Sequence, residues 1–151
     1  QPDLVIAFGT GKLKIPLISF LQDKLLNLHG GDPQRYRGLD SHYWAIYHRE
    51  FSALTVCLQK VAAQLDTGDI VIQQAIPLAR GLEIHQLRAE NTKVCANLAL
   101  SACDMLNRSG SIPSFSQSTL GRYYSFMPRV LKELCVKRFL NHTKLLSEET
   151  P

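Results

Sequence analysis

The 151-residue chain has no dense block of lysine and arginine and no long uninterrupted apolar segment. A membrane-spanning helix needs roughly 18 consecutive apolar residues, so we expect no membrane partner. The net charge of +4 is too small to indicate a nucleic-acid-binding protein by itself. It favours an anionic partner such as a phosphate, a nucleotide, a polyglutamate tail or RNA.

The sequence also has no C-x-x-C pair among its four cysteines, which are Cys57, Cys95, Cys103 and Cys135. Metal-binding cysteines usually occur in such closely spaced pairs, so we expect no metal site. Most of these cysteines lie in apolar, periodic surroundings. They are therefore predicted to be buried free thiols, which indicates a protein of the reducing cytoplasm.

The length and the 45% hydrophobic content suit one domain with a substantial core. The chain begins at Gln1 and runs at once into an apolar strand, so we expect it to be part of a longer protein. We divide it into a catalytic core that is incomplete at its N-terminus, residues 1–108, and a Ser/Gly/Pro-rich linker, residues 109–119. Residues 120–151 are predicted to form a short basic helical tail.

Hydrophobic periodicity predicts an alternation of strands and helices. The predicted elements are strand 4–8, helix 16–23, strand 25–29, polar loop 30–38, helix 40–48, strands 53–61 and 70–76, and helix 82–107. The first three form a βαβ unit, so their two strands should be parallel. Whether the strands at 53–61 and 70–76 are antiparallel neighbours or are joined by a wider connection stays open.

The segment 25–31 places an amide and an imidazole at the end of a strand, before two glycines. Asn27 and His29 are two residues apart and should point to the same face. Open α/β sheets bind their ligands at the carboxyl ends of parallel strands. A carboxylate from the Asp/Gly-rich turn at 64–69, Asp66, would complete the group.

An amide, an imidazole and a carboxylate can stabilise an oxyanion and move a proton. The group has no serine or cysteine nucleophile, so we expect direct transfer of a group between two bound molecules. The alternative is that Asn27 and His29 are ordinary hydrogen-bonding residues at the end of a strand.

Four segments together resemble the formyltetrahydrofolate-dependent formyltransferases, which act on methionyl-tRNA, glycinamide ribonucleotide or sugar amines. The segments are Asn27-Leu28-His29, Tyr36-Arg37-Gly38, Trp44-Ala45-Ile46 and Leu65-Asp66-Thr67-Gly68-Asp69-Ile70. The resemblance covers roughly residues 1–80. It implies an α/β fold: the C-terminal portion of a Rossmann-like formyltransferase domain, with a mostly parallel sheet, flanking helices and a helical C-terminal tail.

The resemblance also implies a set of site residues. The catalytic residues would be Asn27, His29 and Asp66. The formyl donor, 10-formyltetrahydrofolate, would be held by Phe8, Gly9, Gly11, Leu13, Leu65 and Thr67. The acceptor would meet the loop that contains Gly30, Arg35, Tyr36 and Arg37. The acceptor's amine would attack the formyl carbon, and Asn27 and protonated His29 would stabilise the resulting oxyanion.

The chain departs from the family in the loop after the histidine, where Gly30-Gly31-Asp32-Pro33 replaces the usual Ser-Leu-Leu-Pro-containing sequence. The aromatic residues after this loop make the segment more similar to the sugar-amine formyltransferases. That resemblance implies a small-molecule amine, most simply a nucleotide-linked amino sugar. Residues 120–151 are too short for the C-terminal barrel of the tRNA enzyme. A tRNA acceptor, a hydrolase that releases formate, a non-catalytic folate-binding module and a plain RNA- or phosphate-binding domain remain alternatives. A homodimer is one option for the assembly.

Overall fold

The computed structural model of the chain describes residues 2–147. Its strands are β1 (Val5–Phe8), β2 (Leu25–His29), β3 (Tyr36–Gly38), β4 (Thr55–Lys60), β5 (Ile70–Ala75) and β6 (Arg122–Tyr124). Its helices are α1 (Ile15–Leu21), α2 (Ser41–His48), α3 (Ile84–Ser109) and α4 (Arg129–Lys144). Short 3-10 turns precede β2 and β4. The predicted α/β class with flanking helices is confirmed.

The main sheet has four strands in the order β1-β2-β4-β5, and β3 and β6 form a separate two-stranded sheet. β1 and β2 are parallel, as the βαβ unit predicted. β4 runs antiparallel to β2 and to β5. The link at 61–69 contains no helix and is shorter than the dozen or more residues that a parallel crossover needs. The strands β4 and β5, whose relation the sequence left open, are therefore antiparallel neighbours.

Alternation along β2 separates the core from the site. Leu26 and Leu28 belong to the buried cluster that α2, α3 and α4 cover, together with Val56 and Leu58 of β4. The residues between them in sequence point to the opposite face, because successive side chains of a strand alternate. The apolar pattern that builds the core thus also places the polar side chains of β2 together.

The predicted loop at 30–38 and the predicted linker at 109–119 both make strand-like pairs. Tyr36 pairs with Arg122 in the parallel β3–β6 sheet. Phe115 forms an antiparallel bridge to Ile70, with hydrogen bonds of 2.8 and 2.9 Å. The segment after α3 therefore returns to the edge of the main sheet and reaches the polar end of β2.

Among the predicted free thiols, Cys57, Cys95 and Cys135 are buried and Cys103 is exposed. Cys103 lies on the solvent side of α3, where the helical period leaves it outside the core. Between residues 2 and 147, no helix combines the length and the apolar character needed to cross a membrane. In the same part of the chain, no three His, Cys, Asp or Glu residues are grouped so that they could hold a metal ion.

Candidate active site

The end of β2 and the turn after β4 bring three polar side chains together. The Asn27 Nδ2 atom and the His29 Nδ1 atom each lie 3.5 Å from Asp66 Oδ1. Asp66 has a left-handed backbone, with φ of 55°, which a non-glycine residue adopts only when its surroundings hold it there. The sequence-predicted amide, imidazole and carboxylate therefore converge.

Both oxygens of the Asp66 carboxylate are held by donors. Oδ1 accepts a hydrogen bond of 3.0 Å from Gln59 Nε2, and Oδ2 accepts one of 2.8 Å from the Gly38 backbone N–H. The Asp66 side chain is only 8% exposed. A carboxylate withdrawn from water needs such donors to remain charged, so these contacts stabilise a fixed anion beside Asn27 and His29.

His29 has an acceptor at each ring nitrogen. Nε2 lies 2.9 Å from the Tyr36 carbonyl oxygen, and Nδ1 faces Asp66. A carbonyl oxygen only accepts, so Nε2 carries a hydrogen. A second proton on Nδ1 would face the carboxylate. The ring is thus placed to hold and release a proton at Nδ1 while Nε2 keeps its orientation.

These side chains lie at one end of a cavity of about 590 Å³. Of the residues that we predicted for the site, eight line it: Gly9, Gly11, Leu13, Asn27, His29, Gly30, Leu65 and Asp66. Two segments supply much of the lining: the glycine-containing segment at 9–13 and the segment at 60–66. This volume is in the range of small-molecule binding sites, roughly 300–1,000 Å³.

Five predicted residues do not line the cavity, and for Phe8, Thr67 and Tyr36 the reasons are local. Phe8 is 54% exposed and contributes nothing to the lining. The Thr67 hydroxyl donates to the Gln64 carbonyl, 3.1 Å away, and so stabilises the turn. Tyr36 is buried at 3% exposure, and this burial, together with the carboxylate of Glu50, raises the pKa of its phenol.

The two arginines predicted to meet the acceptor are both engaged inside the chain. Arg35 bonds to the carboxylates of Asp32, at 3.0 Å, and Glu50, at 3.2 Å. Arg37 donates to the Gly121 carbonyl at 2.6 Å and to the Leu65 carbonyl at 3.2 Å. Arg35 therefore fastens the loop after β2, and Arg37 fastens the turn that carries Asp66.

Sequence reasoning missed two glutamines beside the carboxylate. Gln59 is opposite Asn27 in the β2–β4 register, so the two side chains share a face. Gln117 donates to Gln59 Oε1 at 3.3 Å, to the Asp66 carbonyl at 3.0 Å and to the Gly68 carbonyl at 2.8 Å. The strand pairing could have indicated Gln59, whereas no sequence signal placed Gln117 here.

Sequence reasoning also missed the apolar rim of the cavity. Leu39, Tyr123 and Phe126 line it, and they are 41%, 48% and 69% exposed. Two of the three come from the segment around β6, which the sequence placed in the tail. The cavity thus has a polar end made by the first 70 residues and an aromatic rim made by a later part of the chain.

The curated relatives include methionyl-tRNA formyltransferases. That of Citrifermentans bemidjiense is 25% identical over 131 residues, which are 85% of this chain and 41% of the relative. That of Koribacter versatilis is 35% identical over 80 residues, which are 52% of this chain and 25% of the relative. The chain spans about two-fifths of the length of the first of these relatives.

The fold is shared with solved formyltransferases. One is PseJ from Anoxybacillus kamchatkensis in complex with UDP-4,6-dideoxy-4-formamido-L-AltNAc and tetrahydrofolate. It superimposes with a TM-score of 0.69 at 20% identity, covering 81% of this chain and 64% of PseJ. The family model described as formyl transferase matches residues 1–102. The chain therefore belongs to the formyl transferase family.

Proposed function

We propose that this chain transfers a formyl group from 10-formyltetrahydrofolate to the primary amine of a small acceptor. The observation that carries the proposal is the convergence of Asn27, His29 and Asp66 at the polar end of the cavity. These are the three residue types that such a transfer needs, and the cavity around them is large enough for a ligand.

The walls of the cavity are compatible with a flat, extended donor. A Cβ atom placed on Gly9 or Gly11 would have no atom within 4 Å, so the chain leaves open space beside the backbone there. The segment at 61–65, which also lines the cavity, carries small or flexible side chains, among them Ala62 and Ala63. We propose that these two segments hold the pterin and its linker, with Leu13 and Leu65 in apolar contact.

Bound 10-formyltetrahydrofolate would supply the electrophilic formyl carbon for attack by the acceptor's neutral amine. Asn27 has amide hydrogens to donate to an oxygen that gains negative charge. The His29–Asp66 pair can take up the proton that the amine nitrogen loses as its new bond to carbon forms. The same pair can return a proton to N10 of the donor as the bond between N10 and the formyl carbon breaks, so that tetrahydrofolate and the formylated amine would be released. The 3.5 Å separations are longer than ideal hydrogen bonds, as is common for catalytic groups before a ligand binds.

The aromatic rim supports a nucleotide-linked amino sugar as the acceptor. Tyr123 and Phe126 expose ring faces at the mouth of the cavity, where a sugar or a base can stack. Arg35 is already bonded to two carboxylates, so it is not a free cation for a polynucleotide backbone. A tRNA acceptor is the second candidate, because the curated relatives are methionyl-tRNA formyltransferases.

Isothermal titration with 5-formyltetrahydrofolate tests the donor site. We expect micromolar binding by the wild-type protein and by Asn27→Ala, because the donor would be held mainly by the segments at 9–13 and 61–65. Asn97→Ala, at an exposed position of α3, is the matched control. Absence of binding to the folded wild-type protein would contradict the folate site.

A transfer assay then tests the acceptor. The wild-type protein, 10-formyltetrahydrofolate and either a UDP-linked 4-amino sugar or methionyl-tRNA are incubated in parallel. Formylation of the amino sugar, and its loss in Asn27→Ala, would support the proposal. Formylation of the tRNA alone would replace it with the second candidate. Folate binding without transfer to either acceptor would favour the non-catalytic module.

A further inference from the structure

Gln117 reaches the polar end of the cavity from a distant part of the sequence. Its side-chain nitrogen faces three oxygens, those of Gln59 Oε1, the Asp66 carbonyl and the Gly68 carbonyl. Its buried Oε1 has no hydrogen-bond partner among the residues that the structure describes. The opposite amide orientation would place this oxygen against three acceptors, so the orientation of Gln117 is fixed.

The orientation of Gln117 determines that of Gln59. Gln59 is 1% exposed, and its Oε1 accepts from Gln117. Its Nε2 is therefore directed at Asp66 Oδ1, 3.0 Å away. If the Gln59 amide were turned over, its oxygen would face the carboxylate and its nitrogen would face the Gln117 nitrogen. The two amides thus donate in one direction, from Gln117 to Gln59 to Asp66.

The segment that carries Gln117 is held in place by other contacts. Phe115 makes two backbone hydrogen bonds to Ile70. The Ser118 backbone N–H and hydroxyl each donate to Gln34 Oε1 at 2.8 Å. These anchors lie on both sides of Gln117, so the segment should keep its path when the Gln117 side chain is removed.

We propose that Gln117 and Gln59 are positioning residues that aim the Asp66 carboxylate at Asn27 and His29. Gln59 donates to Oδ1 on the side of the cavity, and Oδ2 then accepts from the Gly38 N–H. Gln117 also bonds to the Asp66 backbone carbonyl and so stabilises the left-handed turn at this residue. The catalytic consequence of this arrangement rests on the proposed function, whereas the positioning itself does not.

Amide hydrogen exchange measured by NMR tests the positioning without an activity assay. The reporter is the Gly38 N–H, whose acceptor is the Asp66 carboxylate. In Gln117→Leu and in Gln59→Leu we expect its exchange to speed up about tenfold, the effect of losing one hydrogen bond. Leu58, in the middle of β4, should exchange as in the wild-type protein. Ser118→Ala, which removes only a bond to Gln34, should leave Gly38 unchanged. Unchanged Gly38 exchange in both glutamine variants would overturn the positioning.

Steady-state kinetics test the consequence. We expect kcat to fall about tenfold in each single variant, with KM for the formyl donor unchanged. Gln59→Leu removes a hydrogen bond to the carboxylate, and Gln117→Leu removes the contact that orients the amide making it. The double variant should lose less than the product of the two single losses, since both amides act on the same carboxylate. Additive losses would contradict action through a shared carboxylate.

Failure of the proposed function can be distinguished from failure of the positioning. If the wild-type protein transfers no formyl group while Gly38 exchange rises as expected, the proposed function fails and the positioning stands. If transfer is intact and both glutamine variants keep wild-type kcat and wild-type Gly38 exchange, the positioning fails and the proposed function stands.

Discussion

Two imidazoles lie on either side of Gly30, and their surroundings differ. His29 has the Asp66 carboxylate at Nδ1 and the Tyr36 carbonyl at Nε2, and it lines the cavity. His42, on α2, has the Thr55 carbonyl 2.8 Å from Nε2 and no carboxylate partner in the described part of the chain. Burial lowers the pKa of His42 to about 4, and a charge on His29 would add to this effect.

The difference shows that the partners of a histidine decide its role. A ring between a carboxylate and a carbonyl can hold two protons and release one. A ring that burial keeps neutral, with one carbonyl as its acceptor, serves packing and orientation. His29 is therefore the proton-handling ring of the proposed site, and His42 supports the loop behind it.

The largest expected effect comes from making the surroundings of His29 resemble those of His42. Asp66→Asn removes the carboxylate, so Nδ1 of His29 loses the charge that would stabilise its proton. We expect kcat for formyl transfer to fall on the order of a hundred- to a thousand-fold, as when one stabilising group of a catalytic site is lost. Steady-state kinetics with 10-formyltetrahydrofolate would measure the change.

The matched control for this variant is Asp69→Asn, at the end of the same turn, where the carboxylate accepts from the Ser116 hydroxyl. It should keep wild-type kcat. An equal loss in both variants would mean that the turn as a whole, and not the carboxylate beside His29, supports activity.

The second effect is on stability and follows from the pKa of His42. Above pH 6.5 this ring is neutral in the folded and the unfolded chain, so it contributes nothing to the pH dependence. As the pH falls from 6.5 to about 4, the unfolded chain binds a proton that the folded chain excludes, and stability is lost. The loss attributable to this group reaches at most about 3 kcal/mol.

Urea unfolding at pH 7.5, 5.5 and 4.5 would measure this loss. His42→Gln should flatten the acid limb of the stability curve, because its amide can donate to Thr55 without titrating. His85→Gln, at a histidine exposed to solvent on α3, is the control and should leave the curve unchanged. An acid limb that His42→Gln does not alter would show that burial of His42 is not its cause.

A smaller effect is expected at Gly30 and Gly31, the two glycines that follow His29. A Cβ on Gly31 would lie 2.7 Å from Ser41 Cβ and 3.2 Å from His29 Nε2, and its φ of 150° disfavours side chains. We expect Gly31→Ala to cost about 1–3 kcal/mol of stability and to lower kcat, because it displaces the His29 ring. Thermal unfolding and steady-state kinetics would measure both.

Gly30→Ala is the variant to compare with Gly31→Ala. Its Cβ would approach His42 Cε1 at 3.2 Å and Asn91 Oδ1 at 3.4 Å, contacts that small shifts of two side chains can relieve. We expect smaller losses of stability and of kcat than in Gly31→Ala. A larger loss of kcat in Gly30→Ala than in Gly31→Ala would reverse the roles assigned to the two rings.

Sequence reasoning predicted the parts of the molecule in which polar and apolar side chains recur at a regular spacing. The alternation along β2 predicted a polar face, and the structure places Asn27 and His29 there with Asp66. The first βαβ unit is parallel, as predicted. These results follow from local chemistry, because an alternating strand has one core face and one free face.

The remaining features of the fold and the site depend on contacts between residues that are far apart in the sequence. β3 and β6 have three residues each, so neither carries a detectable hydrophobic period. Gln117 is separated from Asp66 by 51 residues, and its serine-rich surroundings indicated a linker. Arginine is a residue type expected in an anion-binding site, yet the carboxylates of Asp32 and Glu50 already pair with Arg35. In each case the tertiary partner, and not the residue type, decides the role.

The most direct test of the account measures formyl transfer by His29→Gln and His42→Gln in parallel at pH 7.5, together with the affinity for 5-formyltetrahydrofolate. Both variants exchange an imidazole for an amide, on opposite sides of Gly30. We expect His29→Gln to lose on the order of a hundredfold or more in kcat with its folate affinity retained. We expect His42→Gln to keep wild-type kcat. Equal losses in the two variants, or a loss confined to His42→Gln, would contradict the assignment of His29 as the proton-handling ring.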